Sequence, residues 1–533
     1  MERGEVNEKN KGVYKIMGKL SMSPLVTAVL LDTVAIQRYI FSGNKLKENL
    51  GASQLVAEIY QQSLKSALAE VITDEDIDKA LGSWHGSELL MATDGKLKFE
   101  VGFIGGGNGL LFFRDGQSSR DLAERLIQTW TRLLLVEAPG LATAVAILDQ
   151  LECSTILDNG GFAHILKTLH KQLAENSSRS FPITTTAKFG FTAECAWSGE
   201  NQEKEWKDND GKKHYISSVL FAKFDKANKP RKLSESASEK YSDLLGTDYA
   251  FTDELDELGQ RSCESHIAIV HIDGNHVGKV FAEAAQGGLQ HYREVSHRIS
   301  AIAENAFRKL VSHIIQLMPR LDKCGFSFSK DKKDRKYLPL RSIVIGGDDI
   351  TFVTDGRLGV YLAEYFIKAI QEEKLPDGKS LYCCGGVAIV RSKFPFSQAY
   401  VLSERQCQAA KQKMRQEKGE SSWLQYSIVF SGALEKEQEQ HFSGLYWVCK
   451  EDEEEPEQSI QHLRAQLAAY FRSVSSTQRQ RLREIKTESI AAERLYYKTV
   501  KENKRTKHSE KLTYGALHLL DFYPEILLQE EWK

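Results

Sequence analysis

The stretch "RSIVIGGDDITFVTDG" (residues 341–356) runs from one short apolar strand through two glycines and two aspartates into a second apolar strand. Gly346 and Gly347 permit a sharp turn, so the spacing predicts a tight hairpin with Asp348 and Asp349 at its tip. Gly-Gly-Asp-Asp by itself also fits an ordinary surface turn, since all four residues favour turns. What surrounds it decides between a turn and a site.

The chain contains a second, altered version of the same segment. "VGFIGGGNGLLFF" (101–113) resembles "SIVIGGDDITFV" (342–353), and "LVTAVLLDTVAIQRYIF" (25–41) resembles "HIAIVHIDGNHVGKVF" (266–281). In the latter pair an apolar strand ends in Asp32 or Asp273, and a loop then leads into a helix. The spacing agrees, because 107 − 32 and 348 − 273 both give 75. A third strand, "TAVAIL" (143–148), answers "GGVAIV" (385–390) at nearly the same offset of about 241. Each copy reads as strand, helix, strand, hairpin, strand, helix, strand, helix, which is the βαββαβ order of a ferredoxin-like sheet with helices on one side. In the second copy the strands are expected near 266–273, 341–346, 350–354 and 381–390. The helices are expected near 277–318, 357–374 and 397–414, the first burying Ile299, Ile302, Ala303, Ala306, Phe307, Leu310 and Ile314.

The expected fold class is therefore α+β, with two ferredoxin-like Palm domains forming a pseudo-dimer, a small inserted domain and a helical C-terminal domain. The expected boundaries are 1–150, 151–262, 263–428 and 429–533. Within the insert, the polar stretch "SGENQEKEWKDNDGKKH" (198–214) lacks periodicity and reads as a loop or small insert. In the tail, "EDEEEPEQ" (451–458) reads as a solvated linker, and Leu463, Leu467, Tyr470 and Phe471 follow at helical spacing.

Composition narrows the function classes. The 533 residues are 41% hydrophobic with a formal net charge of −2, so sizeable cores are expected and no global field draws the chain to nucleic acid or a membrane. The polar start "MERGEVNEKNKGVYK" and the lack of a long apolar run point to a cytoplasmic protein. Eight cysteines (Cys153, Cys195, Cys263, Cys324, Cys383, Cys384, Cys407 and Cys449) form no CxxC pair and read as buried thiols in a reducing compartment. Searches for a Walker lysine, an HExxH pair and a GxSxG elbow find none.

In the predicted sheet, the first strand of the second copy runs beside the hairpin, which brings Asp273 to face Asp348 across a few ångström. Mg²⁺ or Mn²⁺ suits such a site, because a hard cation takes carboxylate oxygens and keeps positions for substrate. Two ions can activate an attacking hydroxyl and stabilise the leaving oxygen in displacement at phosphorus. Gly346 and Gly347 leave room for phosphates, and the loop Gly274, Asn275, His276, Val277, Gly278 offers backbone N–H groups at a helix start. The first copy keeps the glycines but carries Gly107 and Asn108 in place of the two acids, which suggests one silent and one active site. His271 and His276 flank Asp273 but alternate with apolar residues, so a structural or surface role is expected for both. The basic stretch 479–511, with Arg479, Arg481, Arg483, Lys498, Lys501, Lys504 and Arg505, reads as a solvated helix face or as a surface for RNA or a partner.

These residues resemble the large Palm-domain subunit of type III CRISPR effector complexes. "DTVAIQRYIFSGNKLKENLGAS" (32–53), "IGGGN", "YLPLRSIVIGGDDITFV" (337–353) and "GGVAIVRSKFPFSQAY" (385–400) carry the resemblance over most of 25–415. The resemblance implies a fold akin to polymerase Palms and nucleotide cyclases. It implies conversion of ATP to cyclic oligoadenylates once the complex has bound target RNA, by attack of one ATP's 3′-hydroxyl on another's α-phosphate with loss of pyrophosphate. Asp273, Asp348 and Asp349 would hold the metals, Lys411 in "CQAAKQK" would lie near the triphosphate unless it is a solvated helix lysine, and two ATP molecules would sit between the Palms. Partner subunits with guide RNA and target RNA are implied as well.

The chain departs from that family in three places. No His-Asp dipeptide occurs, so DNA cleavage by an HD nuclease is not expected; "AECAWSGENQE" (193–203) has one cysteine, so no zinc is expected. The strand of the second copy ends Asp273-Gly274-Asn275 where many members have Asp-x-Asp. Two further readings stay open: a non-catalytic nucleotide-binding scaffold subunit, and a stand-alone cyclic dinucleotide synthase of the same fold.

Overall fold

A computed structural model describes residues 25–73, 77–86, 91, 97–114, 118–179, 184–208, 211–228, 233–260, 265–417, 420–429, 443–449, 458–473, 477 and 514–529. The protein is mixed α/β. The first half comprises β1 (Leu25–Val34), α1 (Ile36–Ile40), β2 (Phe99–Gly105), β3 (Asn108–Phe113), α2 (Ser119–Glu137), β4 (Ala142–Glu152) and α3 (Asn159–Arg179). Two short pairs follow, β5 (Lys204–Lys207) with β6 (Lys213–Ile216), and β7 (Tyr249–Ala250) with β9 (Lys336–Tyr337); α4 (Ser218–Asn228) lies between them in sequence. The second half has β8 (His266–Gly274), α5 (Val277–Gln286), α6 (Gly288–Lys323), β10 (Leu340–Gly346), β11 (Asp349–Asp355), α7 (Gly359–Gln371), β12 (Cys383–Arg391) and α8 (Phe396–Gln416). Beyond it come β13 (Ser422–Ile428), β14 (Ser443–Cys449) and α9 (Ile460–Ser473).

The two halves repeat one topology. The first sheet has the order β2-β3-β1-β4, and the second contains β10-β11-β8-β12 in the same succession, with every neighbour in these four-strand runs antiparallel. The repeat extends to backbone strain. Ala35 (φ 54) and His276 (φ 56) hold left-handed conformations that non-glycine residues rarely adopt, each just before the helix that follows the central strand. Their separation, 276 − 35 = 241, is the offset read from the sequence.

Three expectations need correction. The helix expected over 277–318 is two helices, because the chain turns at Gly287 and Gly288, the latter at φ 87, a conformation that glycine adopts without penalty. The third helix does not share a face with the others. A Cβ on Gly385 would lie 3.1 Å from Ile367 of α7, whereas one on its neighbour Gly386 would lie 1.9 Å from the Ser403 carbonyl of α8. Successive strand residues point to opposite faces, so α7 and α8 cover opposite sides of β12. Finally, the tail expected to be helical from 429 supplies β14 to the second sheet, which continues β12-β13-β14 through a parallel β12–β13 pairing. In α9, Leu463, Leu467 and Tyr470 are buried as their spacing predicts, with Phe471 partly buried.

The polar stretch 198–214 holds more structure than its composition suggests: β5 and β6 form a hairpin over a small core of Cys195, Ile216, Leu220 and Phe224, flanked by Trp206. Cys153, Cys195, Cys383, Cys384 and Cys407 are buried thiols and Cys324 is half-buried. Cys263, the side chain of Cys449, residues 451–457 of the acidic run and the basic stretch 479–511 lie outside the described residues. Among the described residues, no helix is long and apolar enough to cross a membrane.

A buried contact ties the halves together. Arg293 of α6, 2% exposed, donates to the Gly102 carbonyl at 2.8 Å and the Val101 carbonyl at 2.6 Å, and pairs with Glu100 at 3.1 Å. Ser53 also donates to the Ile343 carbonyl of β10 at 2.5 Å. The hairpin of the second half is thus held from the first.

Candidate active site

The site is set by strand register. In the β8–β11 ladder Asp273 is the Cα partner of Asp349, so the two side chains leave the same face of the sheet. The acid directly opposite Asp273 is Asp349, not Asp348 as the sequence reading expected. Asp348 sits one residue earlier in the turn, where its carbonyl accepts the Gly274 N–H at 3.0 Å. This crossing is tight, since a Cβ on Gly274 would meet Val277 at 2.6 Å and the Asp348 Cβ at 3.0 Å. Gly347 turns the hairpin at φ 65.

The electrostatics follow from crowding three carboxylates on a partly covered hairpin. Burial, then the nearby Asp273 charge, push Asp348 up to about 6. Burial likewise pushes Asp349 up to about 6, opposed by a hydrogen bond from Gln37 and assisted by Asp273. One cation answers them: Lys411 of α8, its side chain only 12% exposed, places Nζ 2.5 Å from Asp273 Oδ2 and donates to the Gly274 carbonyl at 3.2 Å. Lys411 is therefore a largely buried partner of Asp273 and not a solvated helix lysine. His271 is buried beneath the acids, 3.1 Å from the Thr351 hydroxyl and 3.5 Å from Asp349 Oδ1, and burial lowers its pKa. His276 is exposed and makes the strained turn into α5.

The loop residues separate. Gly278, Gly347 and Asp348 line a cavity of 530 Å³ together with Gly105, Gly106 and Asn108 of the silent hairpin, so both hairpins border one space. Gly346 lies at the end of β10. Asn275 turns elsewhere: its Nδ2 donates to the Ser421 carbonyl at 3.0 Å, and it lines a different cavity of 400 Å³ with His276 and Tyr382. At the silent hairpin Asp32 is the partner of Asn108, and Tyr60 donates to the Gly107 carbonyl at 2.7 Å. A Cβ on Gly107, the counterpart of Asp348, would fall 2.1 Å from Ile36, whereas the corresponding glycines Gly106 and Gly347 have nothing nearer than 3.9 Å.

Among the described residues, no group of three or more histidine, cysteine, aspartate or glutamate side chains is gathered into a metal-holding cluster. The donor chemistry nevertheless fits a hard cation. Asp273, Asp348 and Asp349 offer only oxygens, Asp349 Oδ1 is buried without a hydrogen-bond partner, and the Lys411 ammonium already neutralises Asp273. Sequence reasoning missed Gln37, whose Nε2 donates to Asp349 Oδ2 at 2.8 Å from the other half of the chain.

The second sheet presents two acids from one hairpin and a third from the neighbouring strand. Residues 266–419 match the family described as Cas10/Cmr2, second palm domain. The whole chain is similar in fold to a crystal structure of a Csm1–Csm4 cassette in complex with pppApA, at 12% identity and a TM-score of 0.50, over 95% of this chain and 70% of that one. Cassettes in complex with cA4 (12% identity, TM-score 0.47, 96% and 70% covered) and in the type III-A CRISPR-Csm interference complex (13%, 0.46, 96% and 72%) are also similar. A comparison with curated proteins returns no match.

Proposed function

We propose that the chain is a nucleotidyltransferase that converts ATP to cyclic oligoadenylates, acting as the large subunit of a type III CRISPR antiviral complex and switched on by target RNA. The observation that carries this reading is the Asp273–Asp349 register with Lys411 seated on it. The palm-family match over 266–419 supports it, as does the fold similarity to a cassette in complex with pppApA. In this reading residues 1–150 and 263–428 are paired ferredoxin-like Palms, with 151–262 inserted and 429–533 following.

Asp273, Asp348 and Asp349 would hold Mg²⁺ or Mn²⁺, which would supply charge stabilisation to the attacking and leaving oxygens. The chain's own residues do the remaining work. Lys411, beside Asp273, would offer its ammonium to the triphosphate. Gly278, Gly347 and Asn108 leave the space between the hairpins open for nucleotide. The 3′-hydroxyl of one ATP attacks the α-phosphorus of the other; the new P–O bond forms as the bond to pyrophosphate breaks. Incubating the protein with labelled ATP and Mg²⁺ or Mn²⁺, with and without target RNA, tests this, because product should appear and vanish in Asp348→Ala/Asp349→Ala.

A second reading, a nucleotide-binding scaffold without turnover, is favoured by the side chain of Asn275 turning away. ATP binding with no product in the presence of target RNA would select it.

A further inference from the structure

The acidic hairpin does not hold its own carboxylate in place. Gln37, on α1 of the first half, donates its side-chain N–H to Asp349 Oδ2 at 2.8 Å, across 312 residues of sequence. A carboxylate only accepts, so the amide must present Nε2 and not its oxygen. With Oδ2 spent on Gln37, Oδ1 is left buried without a hydrogen bond, 3.5 Å from His271 Nδ1. The helix that delivers Gln37 is itself fixed. It begins at the strained Ala35 and ends at Phe41, whose ring stacks on Tyr400 with centroids 3.6 Å apart and planes 12° apart. Tyr400 lies on α8, the helix that carries Lys411.

The repeat offers an internal control. The position equivalent to Gln37 in the second half is Gly278, since 278 − 37 = 241. It has no side chain, and a Cβ there would meet nothing within 4 Å. A donor therefore reaches the hairpin that has acids, and its counterpart facing the hairpin that lacks them is open space.

We propose that Gln37 is a positioning residue of the nucleotidyl-transfer site: it fixes the Asp349 carboxylate through Oδ2, and the half whose hairpin lacks acids thereby completes the site of the half whose hairpin has them. This rests on the reading of the site given above. Retaining a silent copy then has a physical reason, because the site is composite.

The test compares the full chain with Gln37→Met, which removes the donor and keeps length and bulk, and Gln37→His, which restores a neutral N–H at similar reach. Mn²⁺ affinity is read by electron paramagnetic resonance or calorimetry, ATP turnover by steady-state kinetics, and integrity by the thermal midpoint. Gln37→Met should keep its midpoint within about 2 °C, bind Mn²⁺ at least roughly threefold more weakly and lose roughly 10–100-fold in kcat with little change in KM for ATP. Gln37→His should recover most of both. The proposal is overturned if Gln37→Met matches the unsubstituted protein in Mn²⁺ affinity, or if both variants lose affinity together with a lowered midpoint. If the unsubstituted protein binds Mn²⁺ but turns over no ATP, the nucleotidyl-transfer reading fails while Gln37 is still judged on Mn²⁺ affinity. If it binds no Mn²⁺, both fall.

Discussion

Lys411 Nζ lies 2.5 Å from Asp273 Oδ2, so this cation is bonded to the member of the acidic triplet that comes from the neighbouring strand. A charge-assisted contact of this kind occupies one of the Asp273 oxygens. Removing it has two opposite consequences. Lys411→Met should strengthen Mn²⁺ binding, because the competing ammonium is gone, yet raise KM for ATP and cut turnover roughly 100-fold, because the triphosphate loses its counter-charge. Parallel metal-binding and kinetic titrations separate these effects.

The carboxylates of Asp348 and Asp349 are pushed up to about 6 by burial and by Asp273. A raised folded pKa means that the native state holds protons more tightly than the unfolded chain, so these groups cost stability as pH rises from the unfolded value near 4 through 6. Asp348→Asn and Asp349→Asn should therefore abolish product while leaving the thermal midpoint at pH 8 equal or higher. Scanning fluorimetry at pH 8 and pH 5 checks the sign, since the gain should shrink at the lower pH.

The same shifts set the metal's pH dependence. Cation binding requires ionised carboxylates, so Mn²⁺ affinity should rise with pH through about 6 and release protons on binding. Calorimetry in two buffers of different ionisation enthalpy measures that release.

Gly386 of β12 tests the link between core packing and the site. Its position is so close to α8 that a Cβ would lie 1.9 Å from the Ser403 carbonyl and 2.3 Å from the Cys407 nitrogen. Gly386→Ala should cost roughly 1–3 kcal/mol by overpacking and displace the helix that carries Lys411. Gly378→Ala gives a useful contrast: nothing lies within 4 Å, so any cost there comes from its φ of 83 alone. Denaturant melts of both variants measure the difference.

Much of this arrangement is legible in the chain because hairpins and repeats are local signals. The offset of 241 between Asp32 and Asp273 locates both central strands, and the glycines of the two hairpins locate both turns. Register is subtler: antiparallel pairing places Asp349, not Asp348, opposite Asp273, a one-residue difference that alternation alone does not resolve. The face chosen by α8 depends on the absence of a side chain at Gly386, which reads in sequence only as another glycine. Gln37 carries no signal at all, because its partner is 312 residues away and the contact crosses between copies that the repeat aligns but does not dock. The break at Gly287 and Gly288 was visible as a dipeptide, yet the apolar periodicity on either side masks it.

The most direct test is product chemistry. The chain, co-purified with the subunits it assembles with, is incubated with radiolabelled ATP, Mg²⁺ and target RNA, and the products are resolved by chromatography. The account predicts a cyclic oligoadenylate and pyrophosphate, both lost in Asp348→Ala/Asp349→Ala. Product that persists in that variant, or bound ATP that never turns over in the unsubstituted complex, would contradict it.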